Sequence, residues 1–86
     1  MPRIVITHAV VDVERWLKGK ADRAAAIGTN VRDYVAQDVS NNIAVTADVE
    51  DIDAARAMLA SPPPEVAAKM EEHGVIPPLT AYVEAD

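Results

Sequence analysis

The order in which hydrophobic periodicity changes along this chain constrains its fold more than any single residue. A strand-like run, Arg3-Ile4-Val5-Ile6-Thr7-His8-Ala9-Val10-Val11, passes at Asp12 directly into a helical pattern. Two more strand runs follow, then two helical segments, then a last strand. The resulting order, β-α-β-β-α-α-β, is a split βαβ arrangement of the α+β class. It predicts a four-stranded antiparallel sheet with its helices on one face. The 86 residues form one domain, spanning 1–86. A chain this short buries only about two-thirds of its unfolded surface. It has no cysteine, so disulfides cannot reinforce it. The sequence therefore predicts a homodimer, because the second sheet face needs a cover that one copy cannot supply.

Charge narrows the possible partners. Eight basic and fourteen acidic residues leave a net charge of −6, a sign that repels phosphate backbones and anionic lipid. Neither nucleic acid nor a membrane is expected as a partner. The N-terminal apolar run is interrupted by Thr7 and His8 and ends at Asp12, too short and too polar for a signal peptide. A cytoplasmic protein is the expectation.

In the first strand Ile4, Ile6, His8 and Val10 alternate with Val5, Thr7, Ala9 and Val11, and both sets are largely apolar. Asp12 is placed to cap one helix running to Ile27, with Val13, Trp16, Leu17, Lys20, Ala24 and Ile27 inward and Gly28 as its stop. Residues 30–37 and 43–49 read as a hairpin joined through the turn at 38–42. Asp51 caps a short helix with Ile52, Ala55, Met58 and Leu59 inward. Ser61-Pro62 opens another, which Gly74 ends, and Pro77-Pro78 delay the last strand until residues 79–84.

Several of these stretches carry a resemblance. Ile6-Thr7-His8-Ala9-Val10 leading into Val11-Asp12-Val13-Glu14-Arg15-Trp16, the helix entry Val49-Glu50-Asp51-Ile52-Asp53-Ala54-Ala55-Arg56, and Ser61-Pro62 are similar to small ferredoxin-like proteins akin to the antibiotic-biosynthesis monooxygenases. His73-Gly74-Val75 resembles that family's ending, although Ala-Gly-Val is its expected form. The resemblance implies a dimeric α/β barrel, in which two sheets pack face to face and each subunit holds a pocket between helices and sheet. Whether the fourth strand or its tail exchanges across the dimer is left open.

Candidate site residues follow from position and chemistry. His8 interrupts an apolar strand face. It is either a core histidine bonded to a backbone carbonyl or the catalytic acid/base of a pocket. Trp16 anchors the first helix and would also wall a ligand site. Tyr34 and Tyr82 could orient a substrate or pack the sheet. Arg32 could clamp an anionic ligand or pair across the strands with Asp48. His73 sits where it can meet a helix C-terminus. A histidine on a late helix ligates iron in haem-degrading relatives, but the accompanying polar residues are missing here, so no cofactor is expected. His8 and His73 form no compact metal signature, and three scattered glycines make no phosphate loop.

Two functions remain. The first is a cofactor-independent enzyme (monooxygenase, cyclase or isomerase) acting on a hydrophobic or aromatic small molecule. The second is a non-catalytic homodimer that binds a ligand or serves as a scaffold.

Overall fold

A computed structural model describes residues 2–38 and 40–84. The chain runs β1 (Arg3–Val10), α1 (Val13–Leu17), α2 (Lys20–Ala26), β2 (Thr29–Val35), β3 (Asn42–Asp48), α3 (Ile52–Ala60), α4 (Pro64–Glu72) and β4 (Val75–Val83). The four strands form one sheet in the order β2-β3-β1-β4, with every neighbouring pair antiparallel. β3 thus separates β1 from β2, as a split βαβ unit requires. The α+β antiparallel architecture is consistent with a ferredoxin-like type.

Alternation along β1 and β3 decides which sheet face is covered. Ile4 pairs with Ala47, Ile6 with Val45 and His8 with Ile43, and directly opposed residues share a face. Ile4, Ile6, Val10, Ile43, Val45 and Ala47 are buried beneath the helices, joined by Trp16 and Val49. The opposite face carries Val5, Thr7, Ala44 and Thr46 at its centre, flanked by Arg32, Tyr34 and Tyr82.

Two caps hold as expected. Asp12 Oδ1 accepts from the backbone N–H of Glu14 at 2.9 Å, and Asp51 Oδ1 accepts from that of Ala54 at 3.1 Å. The predicted single helix from Asp12 to Ile27 is instead two, broken at Lys18-Gly19. Gly19 N–H donates to Trp16 O, and a Cβ on Gly19 would collide with the His73 ring. With the helix broken there, Arg23 is buried, whereas Leu17 before the break and Lys20 and Ala24 after it are exposed. Gly28 follows the end of α2, but its value there is steric: a Cβ would strike the Asp48 carbonyl.

Two other boundaries move. Ser61 closes α3, and the proline in the first turn of α4 is Pro64, after Pro63 at its N-cap. The last strand does not wait for Leu79. Gly74, with φ +75°, turns the chain, and β4 begins at Val75. It then runs through Pro77-Pro78, whose peptide bond is cis. Two prolines are tolerated because β4 is an edge strand and its register against β1 shifts between Thr7 and Ala9. Arg15 ties α1 to the end of α4, its Nε and Nη2 donating to Glu72 O and Glu71 O at 2.8 and 3.0 Å. Among the described residues, no helix is long and apolar enough to cross a membrane.

Candidate functional site

The four helices do not close completely onto the sheet. A cavity of about 360 Å³ lies between the layers, within the size range of small-molecule sites. Its floor comes from Ile6, Val45, Val75 and Leu79 of the sheet, and its walls from Ile27, Met58, Leu59, Val66 and Met70. Ile27 follows the end of α2 and the other four are inward positions of α3 and α4, whose side chains are only partly buried because the cavity lies beneath them. Polar groups enter at two places. His8 and Arg23 do so beside Trp16, and Asp22, Glu65, Lys69 and His73 do so along the facing sides of α2 and α4.

Strand geometry sets the His8 end. The even positions of β1 face the helices, so His8 replaces what would otherwise be a core aliphatic residue. Its Nδ1 lies 2.9 Å from Ala9 O. A carbonyl only accepts, so Nδ1 carries the proton. Burial lowers the His8 pKa from 6.5; the Ala9 hydrogen bond opposes this, and the Arg23 charge adds to the lowering. His8 is therefore a neutral imidazole at neutral pH. The Trp16 indole meets it edge to face, with ring centroids 6.2 Å apart at 81°.

Trp16 is fully buried, and its Nε1–H has no acceptor among the described residues, so packing holds the indole in place. Arg23 supplies much of that packing, its guanidinium carbon 3.9 Å from the Trp16 ring centroid. Arg23 Nη1 donates to Trp16 O at 2.7 Å, which caps α1. Its Nε and Nη2 donate to the two Asp33 oxygens at 3.2 and 2.9 Å. With side chains only 9% and 5% exposed, this bidentate pair is the one buried ionic contact among the described residues.

At the α2–α4 edge, Asp22 Oδ2 lies 3.3 Å from His73 Nε2 and 3.5 Å from Lys69 Nζ. Lys69 also reaches Glu72 at 3.3 Å, and these partners, Glu72 first, raise its pKa. His73 thus packs over Gly19 and joins two helices, rather than only answering the end of its own.

The structure brings two of the five expected site residues together, His8 and Trp16. Arg32, Tyr34 and Tyr82 lie on the other sheet face, where Arg32 opposes Thr46, Tyr34 opposes Ala44 and Tyr82 opposes Val5. They do not line this cavity. The expected Arg32–Asp48 pair is absent among the described residues; Asp48 instead sits 4.0 Å from Arg3 and accepts from Asn30 at 3.5 Å. Register explains this, because Asp48 opposes Thr29 rather than Arg32. Arg23 and Asp33 were not among the expected site residues. The signal for Arg23 was its spacing of seven from Trp16, which returns to the same helix face, but its charge suggests solvent. Among the described residues, no group of three or more His, Asp or Glu side chains is placed to hold a metal.

No protein-family model, curated protein or solved structure matches the chain.

Proposed function

We propose that this chain binds a hydrophobic or aromatic small molecule in the cavity between helices and sheet, with His8 as the base available to act on it. The observation that carries the reading is the cavity itself: about 360 Å³, mostly apolar, with the His8 imidazole, kept neutral by burial, beside it. An apolar cavity of about 150 Å³ already binds benzene, so a two-ring compound is a reasonable occupant. His8 Nε2 makes no hydrogen bond among the described residues, which leaves its lone pair for a proton from the ligand. For a ligand that carries a carbonyl group, removal of an α-proton gives an enolate and the protonated imidazole, the first step of a double-bond isomerisation or an aldol-type cyclisation. We further assign the uncovered sheet face to a second copy, which would make the assembly a dimeric α/β barrel of the kind expected from the monooxygenase-like resemblance.

A thermal-shift series with naphthalene and 2-tetralone tests the binding. The midpoint should rise with ligand concentration in the wild type. Met70→Trp, which fills the cavity, should abolish the rise; an equal rise in that variant would place the ligand elsewhere.

The second reading is a non-catalytic ligand carrier. It draws on the pairing of Arg23 with Asp33 and of His73 with Asp22, which leaves His8 with little help. Deuterium exchange at the α-carbon of 2-tetralone separates the two. Exchange by the wild type but not by His8→Gln supports a base, and exchange by neither supports a carrier.

A further inference from the structure

We infer that the cavity selects neutral, hydroxyl-bearing apolar ligands, such as alcohols, phenols or enols, over both the parent hydrocarbon and the corresponding carboxylate, because His8 offers them a hydrogen-bond acceptor at Nε2. This rests on the cavity reading above and adds the chemistry by which a ligand is chosen.

Three observations carry it. The first is the tautomer. Ala9 O, 2.9 Å from His8 Nδ1, can only accept, so the proton is fixed on Nδ1 and the lone pair is left on Nε2. Nε2 has no other partner among the described residues. Turning the ring over would put a C–H in place of Nδ1 and break that hydrogen bond.

The second is that the nearby cation is already used. Arg23 lines the same cavity, but it gives Nε and Nη2 to Asp33 and Nη1 to Trp16 O. An entering carboxylate would compete with Asp33, which is itself buried and bidentate. At the α2–α4 edge Lys69 and His73 are matched by Asp22 and Glu72.

The third is the environment of His8. Burial and the Arg23 charge both oppose its protonation, so the ring does not readily become a donor for an anion. A carboxylate would face a lone pair in an apolar cavity, and its desolvation would go unrepaid. A hydroxyl donates to that lone pair, which replaces the hydrogen bond that its O–H gives up to water and leaves a modest net gain.

The test uses four probes on one frame: naphthalene, 2-naphthol, 2-methoxynaphthalene and 2-naphthoate. Dissociation constants are measured by NMR titration at neutral pH. In the wild type 2-naphthol should bind about fivefold tighter than naphthalene, the worth of one ordinary hydrogen bond. 2-Methoxynaphthalene, which keeps the oxygen but has no O–H, should bind like naphthalene, and 2-naphthoate should bind more weakly. In His8→Leu the advantage of 2-naphthol should vanish while naphthalene binding persists. Equal binding of naphthol, its methyl ether and naphthalene to the wild type would overturn the inference and leave the cavity reading intact. So would tightest binding by naphthoate. Failure of naphthalene itself to bind would overturn the cavity reading and this inference with it. The wild-type comparison with the methyl ether decides the matter even if His8→Leu does not fold.

Discussion

A neutral histidine in a covered strand face makes stability depend on pH in a definite direction. His8 in the folded chain has a pKa below 6.5, chiefly because burial disfavours its charged form. The unfolded chain therefore binds more protons as the pH drops below that value. The contribution of neutral His8 is present in full above the unfolded value and is lost as the pH falls through the folded one. The thermal midpoint of the wild type should consequently fall more than that of His8→Gln between about pH 7.5 and about pH 5.5, either side of an ordinary histidine. Parallel profiles would mean that His8 titrates as it would in water. At this scale the sequence is partly legible. Alternation groups His8 with Ile4, Ile6 and Val10, and helical spacing puts Trp16 inward, but their meeting at the cavity follows only once the helices are seen to cover that face. Arg32, Tyr34 and Tyr82 share a face for the same reason, but alternation does not reveal which face the helices choose.

Among the elements, the link between α2 and β2 is ionic. Arg23 lies in the middle of α2 and Asp33 in the middle of β2, and both side chains are almost fully buried. Arg23→Met would leave Asp33 buried without its partner, a change that costs about 3–5 kcal/mol. Adding Asp33→Leu should recover much of that, since two apolar side chains can replace a buried pair at little cost. Chemical denaturation of the two variants checks this; a single-variant loss below about 1 kcal/mol, the scale of an exposed pair, would contradict it. Hydrophobic patterning missed this link because a charged residue scores as solvated until its partner is known, and the partner lies ten residues away across a strand. The helix break is hidden for a related reason. Gly19 is demanded by the approach of His73 from α4, a tertiary contact that local propensity does not contain. The early start of β4 is hidden because Pro77 and Pro78 argue against a strand, and only the edge position with its register shift makes room for them.

For the whole molecule, one side of the sheet holds the cavity and the other side is where the second copy is proposed to pack. That other side has Val5, Thr7, Ala44 and Thr46 at its centre, with Tyr34, Ile76 and Tyr82 exposed around them. Ala44→Glu would set a charge in the middle of such an interface and should convert a dimer into a monomer that keeps its far-ultraviolet circular dichroism. Sedimentation of wild type and variant at micromolar concentration checks this; a wild-type monomer would refute the barrel. The cavity is a separate matter, because it is built within one chain. Its most direct test is a methyl-detected NMR titration with naphthalene. The methyl groups of Ile6, Leu59, Met70 and Leu79, which line the space under the helices, should shift together and saturate, while those of Val5 and Ile76 on the opposite face stay still. Shifts confined to Val5 and Ile76, or none at any of the six, would contradict a ligand site between helices and sheet.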